Sequence, residues 1–155
     1  NRRQLVGSPN YLSRSGSPKL VSYLAAHKLV TVENGLDSIE WHFKDAKENI
    51  STFKARGYLR LDSGDAILRC ILNDGGLAML PTYIVGRHIS SGALLPVLET
   101  LVDERTPIHA VWRQKNHRLP KIEAFLTFLQ QLYGDTPYWD AVTEENKKAA
   151  MRASK

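Results

Sequence analysis

The residues in this chain with chemistry to offer are binding groups rather than bond-making ones. Asp62-Ser63-Gly64-Asp65 stands directly before the apolar run of residues 66–72, where a strand is expected to end and a helix to begin. The first N–H groups of a helix lack intrahelical acceptors, and the aligned peptide dipoles place about half a positive charge there. Such a junction holds anions, and open α/β sheets bind ligands at the carboxyl ends of their strands. Ser63 and Gly64 suit that task. Asp62 would repel an anionic ligand unless it is occupied in capping, and plain capping of the helix accounts for these residues as well as ligand contact does. Ser8-Pro9 follows a short apolar run, so its hydroxyl could meet a ligand or simply shape a turn. Thr31, in a β-rich run, and Pro81-Thr82, where an apolar run gives way to a helix, complete the candidates.

No arrangement for catalysis is visible. His27, His42, His88, His109 and His117 show no zinc-ligand spacing with a supporting Cys or carboxylate cluster. There is no Gly-x-Ser-x-Gly elbow, no P-loop and no pair of carboxylates that spacing identifies. Neither metal nor cofactor is expected, and the chain is not read as an enzyme. The single cysteine, Cys70, sits in an apolar run and reads as core packing; it cannot form an internal disulfide, which leans towards a reducing, cytoplasmic setting. Trp41 is assigned to the core and Trp139 to anchoring the C-terminal segment.

The net charge of +5 does not read as a nucleic-acid surface. Lys147, Lys148, Arg152 and Lys155 outnumber Glu144 and Glu145 in the final segment, and the other cations are scattered among acids without interleaved aromatics. No apolar run reaches the roughly 18 residues of a membrane span, and no signal-peptide pattern is seen.

The elements that must position the candidates alternate between the two periodicities. Strands are expected at residues 4–6, 29–32, 38–43, 51–54, 58–61, 77–80, 94–98 and 108–112, with Ile39, Trp41 and Phe43 sharing one face. Helical turns are expected at residues 10–14, ending at Gly16, and after Pro18, where Leu20, Val21, Leu24 and Ala25 follow at helical spacing. Longer helices are expected over 66–72, from Thr82 to about Ile89, and over 120–133, with Ile122, Phe125, Leu126, Leu129 and Leu132 in one apolar stripe. Alternating strands and helices with short connections mean an α/β architecture with a mixed or largely parallel sheet.

Six segments, in order, carry a resemblance. They are Leu5-Val6-Gly7-Ser8-Pro9-Asn10-Tyr11-Leu12 with Gly16-Ser17-Pro18; Leu24-Ala25-Ala26-His27 with Trp41-x-Phe43; Leu61-Asp62-Ser63-Gly64-Asp65-Ala66 with Gly76-Leu77-Ala78-Met79-Leu80-Pro81; Ser91 to Leu98; Ile108 to Trp112 with Lys121-Ile122-x-Ala124-Phe125-x-x-Phe128-Leu129; and Gly134 to Asp140. Over residues 4–140 the chain resembles the effector-binding domain of LysR-type transcriptional regulators. One departure is that Asp74 stands where the family has the first glycine of Gly-x-Gly, although Asp tolerates a left-handed backbone better than most residues.

The resemblance implies a type II periplasmic-binding-protein-like α/β fold of two lobes, one of them incomplete here. Residues 1–7 are expected to be a crossing strand from a truncated first lobe. Residues 8–106 would be the effector-binding second lobe, 107–140 the strand and helix returning to lobe one, and 141–155 a frayed or disordered tail. A small-molecule effector, such as a small carboxylate or an aromatic, would lie between the lobes against Ser8, Pro9, Thr31, Asp62, Ser63, Gly64, Pro81 and Thr82. DNA would be contacted only through a winged helix-turn-helix N-terminal to this segment. Because the stripe on 120–133 evolved to be covered, self-association into a homo-oligomer, or docking of that helix onto lobe two, is expected; a fragment carrying half the cleft should bind effector weakly or not at all. The alternatives are the solute-binding protein of a transport system, or an enzyme built on the same fold.

Overall fold

A computed structural model describes residues 1–33, 35, 38–45, 47–103, 107–112, 119–134, 137 and 139–140. The chain forms two compact units, Asn1–Thr106 and Pro107–Lys155. The first runs β1 (Arg3–Gly7), α1 (Pro9–Ser15), a 3₁₀ helix (Val21–Ala26), β2 (Val30–Val32), β3 (Ile39–Lys44), β4 (Ile50–Ala55), β5 (Leu59–Leu61), α2 (Gly64–Leu72), β6 (Leu77–Pro81), α3 (Thr82–Ser90) and β7 (Leu95–Pro96). The second contains α4 (Pro120–Tyr133).

Successive strand residues point to opposite faces. Leu5 and Val6 are both fully buried, so β1 must lie inside a sheet covered on both sides. It pairs antiparallel with β6, from Arg3 opposite Pro81 to Gly7 opposite Leu77, and on its other edge with β7. β2 pairs parallel with β5, and a parallel bridge from Leu29 to Leu77 joins that pair to β6. The strands therefore run β5-β2-β6-β1-β7 in one mixed sheet.

Two apolar clusters follow from the alternation. Leu5 packs with Leu24, Leu29, Trp41, Phe43, Leu77 and Met79 on one face. Val6 packs with Val30, Ile67, Ile71, Leu80, Val85 and Leu94 on the other, beneath α2 and α3. The first face is covered by the antiparallel hairpin β3–β4, in which Trp41 lies opposite Phe53. The expected inward face of β3 is present: Trp41 is 2% exposed and Phe43 0%. Lys44 N–H donates to the Leu101 carbonyl at 2.7 Å, tying the hairpin to the segment after β7.

Ser8 caps α1, its hydroxyl accepting from Tyr11 N–H at 3.1 Å, and Pro9 opens the helix where its missing N–H costs nothing. The same hydroxyl donates to Asp74 Oδ1 at 2.6 Å. Asn10 Nδ2 donates to Asp74 Oδ2, and Arg14 reaches the same oxygen at 3.1 Å. Asp74 itself holds φ 64, in the left-handed region that ends α2. The residue that departs from the family's glycine thus keeps the backbone conformation of that turn and adds a carboxylate that clasps the start of α1.

The Ser8 hydroxyl, followed by Asn10 and Arg14, holds the Asp74 carboxyl below the usual carboxylate range despite opposing desolvation. A depressed folded-state pKa contributes stability that is fully present above the ordinary value of 3.8 and is lost as pH falls through the folded value. Asp45, depressed by Asn49, acts in the same direction, so a variant is needed to isolate Asp74. Asn keeps the tolerance for positive φ. Melting curves of the parent and Asp74→Asn from about pH 6 to about pH 2 are expected to differ at the upper end and converge at the lower. A gap that stays constant over that range would refute the clasp's ionic character.

Three expectations need correction. The apolar spacing after Pro18 gives a six-residue 3₁₀ helix, the tighter form that short connecting segments adopt. The strand expected over 94–98 is reduced to two residues. Pro96 has no N–H to donate, and the chain turns at Leu98 with φ 51. Residues 108–112 are not a strand; Ile108 and Val111 are exposed and pair with no described residue. β propensity expresses a fit to neighbouring strands, and without a ladder partner the run has no reason to be extended.

In the second unit, Pro120 occupies the first turn of α4 and Gly134, at φ 51, ends it, as the sequence predicts. None of the α4 residues is buried, and Phe125, Phe128 and Leu132 are all exposed. Trp139 packs its ring 5.4 Å from that of Tyr133. The expected tail, 141–155, lies outside the described residues, as does His117.

Candidate functional site

β2, β5 and β6 all point their carboxyl ends to one edge of the sheet, and β1, running the other way, brings its N-terminal end there. The register Arg3 opposite Pro81 fixes this. α2 starts at the same edge, one residue after Ser63. A cleft of about 210 Å³ opens there, lined by Arg3, Thr31, Ile39, Trp41, Met79 and Ile84 among others. That is below the roughly 300 Å³ floor of drug-sized pockets, so the cleft suits a compact ligand or one end of a longer one.

Polar side chains are few among the described residues that line the cleft. Among the described residues, Arg3 is the only charged one in its lining, and its Nε is buried without a hydrogen-bond partner. Thr31 is 5% exposed, and its hydroxyl forms no hydrogen bond among the described residues. Gly57 lies so close that a Cβ there would meet Thr31 Oγ1 at 2.3 Å. Gly64 is needed for packing as well as for open backbone, since a Cβ on it would come within 2.9 Å of the Ile84 side chain.

The expected site residues divide into two groups. Thr31, Gly64 and Pro81 line the cleft. Ser63 caps α2, accepting from Ala66 N–H at 3.5 Å, and lines a shallower adjoining depression with Gly64, Asp65, Tyr83 and Arg87. Asp62 is exposed and lines neither. Thr82 is tied to the sheet: its N–H and hydroxyl both donate to the Arg2 carbonyl, at 2.9 and 3.2 Å. Ser8 and Pro9 lie at the far end of β1 from the cleft, where the Ser8 hydroxyl is occupied by Asp74 and Tyr11. Arg3, Trp41 and Ile39 were not among the expected residues. Only Arg3 carries a sequence signal, a cation two residues before buried Leu5, and its meaning depends on the strand register. Among the described residues, no cluster of three or more His, Cys, Asp or Glu is placed to hold a metal, and no helix is long and apolar enough to cross a membrane.

A mixed sheet flanked by helices, with a small cleft at the strand ends, defines a lobe of the type II periplasmic-binding-protein-like class. Within that class the chain belongs to the LysR substrate binding domain family, which it matches over residues 1–134. It is 26% identical over 136 residues to the HTH-type transcriptional regulator CrgA of Neisseria meningitidis, covering 87% of this chain and 45% of that protein. It is 29% identical over 130 residues to the HTH-type transcriptional activator TtdR of Escherichia coli, covering 83% and 41%. The solved structure of Neisseria meningitidis CrgA, a LysR-type transcriptional regulator, superposes with a TM-score of 0.71 at 26% identity, over 86% of this chain and 45% of that one. The chain spans less than half the length of these relatives.

Proposed function

We propose that this domain senses a small organic effector in the cleft at the strand ends of its sheet, and that occupancy alters how the whole regulator engages DNA. The observation that carries this reading is a cleft at the strand ends lined by Arg3, whose Nε is buried without a hydrogen-bond partner, and by the buried Thr31. Burying such groups without partners costs free energy, and a ligand that satisfies them recovers it. Residues 8–106 serve as the sensing lobe and 107–140 as the return to a companion lobe that supplies the opposite wall. The winged helix-turn-helix that reads DNA precedes this segment, and the regulator works as a homo-oligomer in the cytoplasm. It acts by binding rather than catalysis, a reading supported by the described lining, where Arg3, Thr31 and Tyr83 stand among apolar walls without an acid–base pair. The named relatives are transcription regulators, which leaves the transport reading without support.

The test uses the protein expressed from its full reading frame. A library of small organic molecules is screened by thermal shift, with every tryptophan of the full-length protein except Trp41 replaced by Phe so that Trp41 reports from the cleft wall. Ligand at a hundredfold over its Kd is expected to add about 2.7 kcal/mol of stability, to change Trp41 emission and to alter operator affinity. Hits that stabilise the protein while leaving Trp41 emission unchanged would place the sensor elsewhere.

A further inference from the structure

We propose that Tyr11 and His27 form a proton-operated latch on α1: the neutral imidazole takes the proton of the buried phenol, and protonation of His27 undoes the tie. Tyr11 hangs from α1 into the core and is 5% exposed. Its hydroxyl lies 3.1 Å from His27 Nδ1, and the Lys28 N–H donates to the same oxygen at 3.1 Å. The two rings lie 5.9 Å apart. A phenol has one proton to give. With its oxygen already accepting from Lys28, that proton goes to Nδ1, which selects the neutral tautomer with hydrogen on Nε2. What the latch holds is a junction. Lys28 also gives its carbonyl to the Leu77 N–H at 2.8 Å, so the phenol ties α1 to the residue that joins β2 to β6.

A proton arriving from water at low pH takes the Nδ1 lone pair. The phenol keeps its own proton, which then faces an N–H instead of an acceptor. Leaving a buried donor unsatisfied is unfavourable, so the two rings must part once the imidazole is charged. Burial pushes His27 below its ordinary value of 6.5. The stability that the neutral imidazole contributes is therefore fully present above 6.5 and is lost as pH falls through the lowered folded value. The titratable groups on the surrounding elements are otherwise placed. Arg14 of α1 pairs with Asp74 at 3.1 Å. The Lys28 ammonium lies over the Tyr58 ring, 5.7 Å from its centroid, and the Tyr58 hydroxyl donates to the Gly75 carbonyl at 2.9 Å. Tyr23, on the 3₁₀ helix that His27 ends, and Lys54, on the strand packed against that helix, are exposed.

Hydrogen exchange on the full-length protein, corrected for intrinsic rates, reads the latch at the Lys28 amide and over α1. Between about pH 7.5 and about pH 5, the range in which an imidazole changes charge, protection at both places is expected to fall at least about fivefold. Asp74 titrates below this range, so its clasp does not contribute. In His27→Asn an amide oxygen stands where Nδ1 stood and does not titrate, and protection should hold at both pH values. In Tyr11→Phe the hydroxyl is gone, and protection of the Lys28 amide should be low at both. A melting curve at the higher pH checks that each variant is folded; were His27→Asn to fail, the parent and Tyr11→Phe still decide. Protection in the parent that does not change with pH overturns the latch. So does a fall that persists in His27→Asn or in Tyr11→Phe.

Discussion

A Gly76→Ala chain is expected to lose about 3 kcal/mol or more of folding stability, a large share of the roughly 5–15 kcal/mol a domain has. Gly76 holds φ 133, which L residues rarely adopt, and a Cβ there would sit 2.2 Å from the Lys28 carbonyl oxygen. Backbone strain of this kind costs about 1–3 kcal/mol. The clash adds to it, because the obstructing atom is main chain and has no rotamer through which to escape. That carbonyl also accepts the Leu77 N–H at 2.8 Å, so moving it breaks the join between β2 and β6. Gly92 is the control. It also has a positive φ, but a Cβ there would meet nothing within 4 Å. Gly92→Ala should cost about 1–2 kcal/mol, the left-handed penalty alone. Urea midpoints measure both, and equal losses would show that the Lys28 contact is not what makes Gly76 necessary.

Phe43→Ala is expected to cost about 3–5 kcal/mol. The ring is fully buried among Leu5, Trp41 and Leu77, and its backbone bridges to Val102. Removing it leaves a void between hairpin and sheet that neither can close without disturbing the other. Ile50, at the end of the partner strand, is 65% exposed, and Ile50→Ala should stay within about 0.5 kcal/mol of the parent. Chemical denaturation separates the two. A Phe43→Ala loss below about 1 kcal/mol would mean the hairpin is not packed on the sheet as described.

Much of the fold was legible because local signals agreed with tertiary ones. Pro120 and Gly134 bracket α4 by opposite requirements on φ, and the alternation of Ile39, Trp41 and Phe43 could be satisfied only by a half-buried strand. Residues 108–112 have equally strong β character, yet they form no strand. Local preference cannot supply a ladder partner. The site was legible in part. Thr31, Gly64 and Pro81 follow from the rule that ligands gather at strand ends. Ser8 has the right residue type, but its hydroxyl is taken by a carboxylate 66 positions away, and no local pattern shows such a partner. Arg3 escaped notice for the converse reason: a cation at a strand end looks like any solvated charge until the pairing with Pro81 brings it to the cleft.

β1 has one further consequence. Leu5 and Val6 key it into separate clusters on its two sides, and a slip of one residue would drive each into the cluster shaped for the other. The same slip would withdraw Arg3 from its recess and pull Ser8 off Asp74. The strand therefore has a single axial setting, like a splined shaft. A push on its Arg3 end can reach its Ser8 end, roughly 17 Å away at about 3.4 Å per residue, only as a displacement of the whole rod.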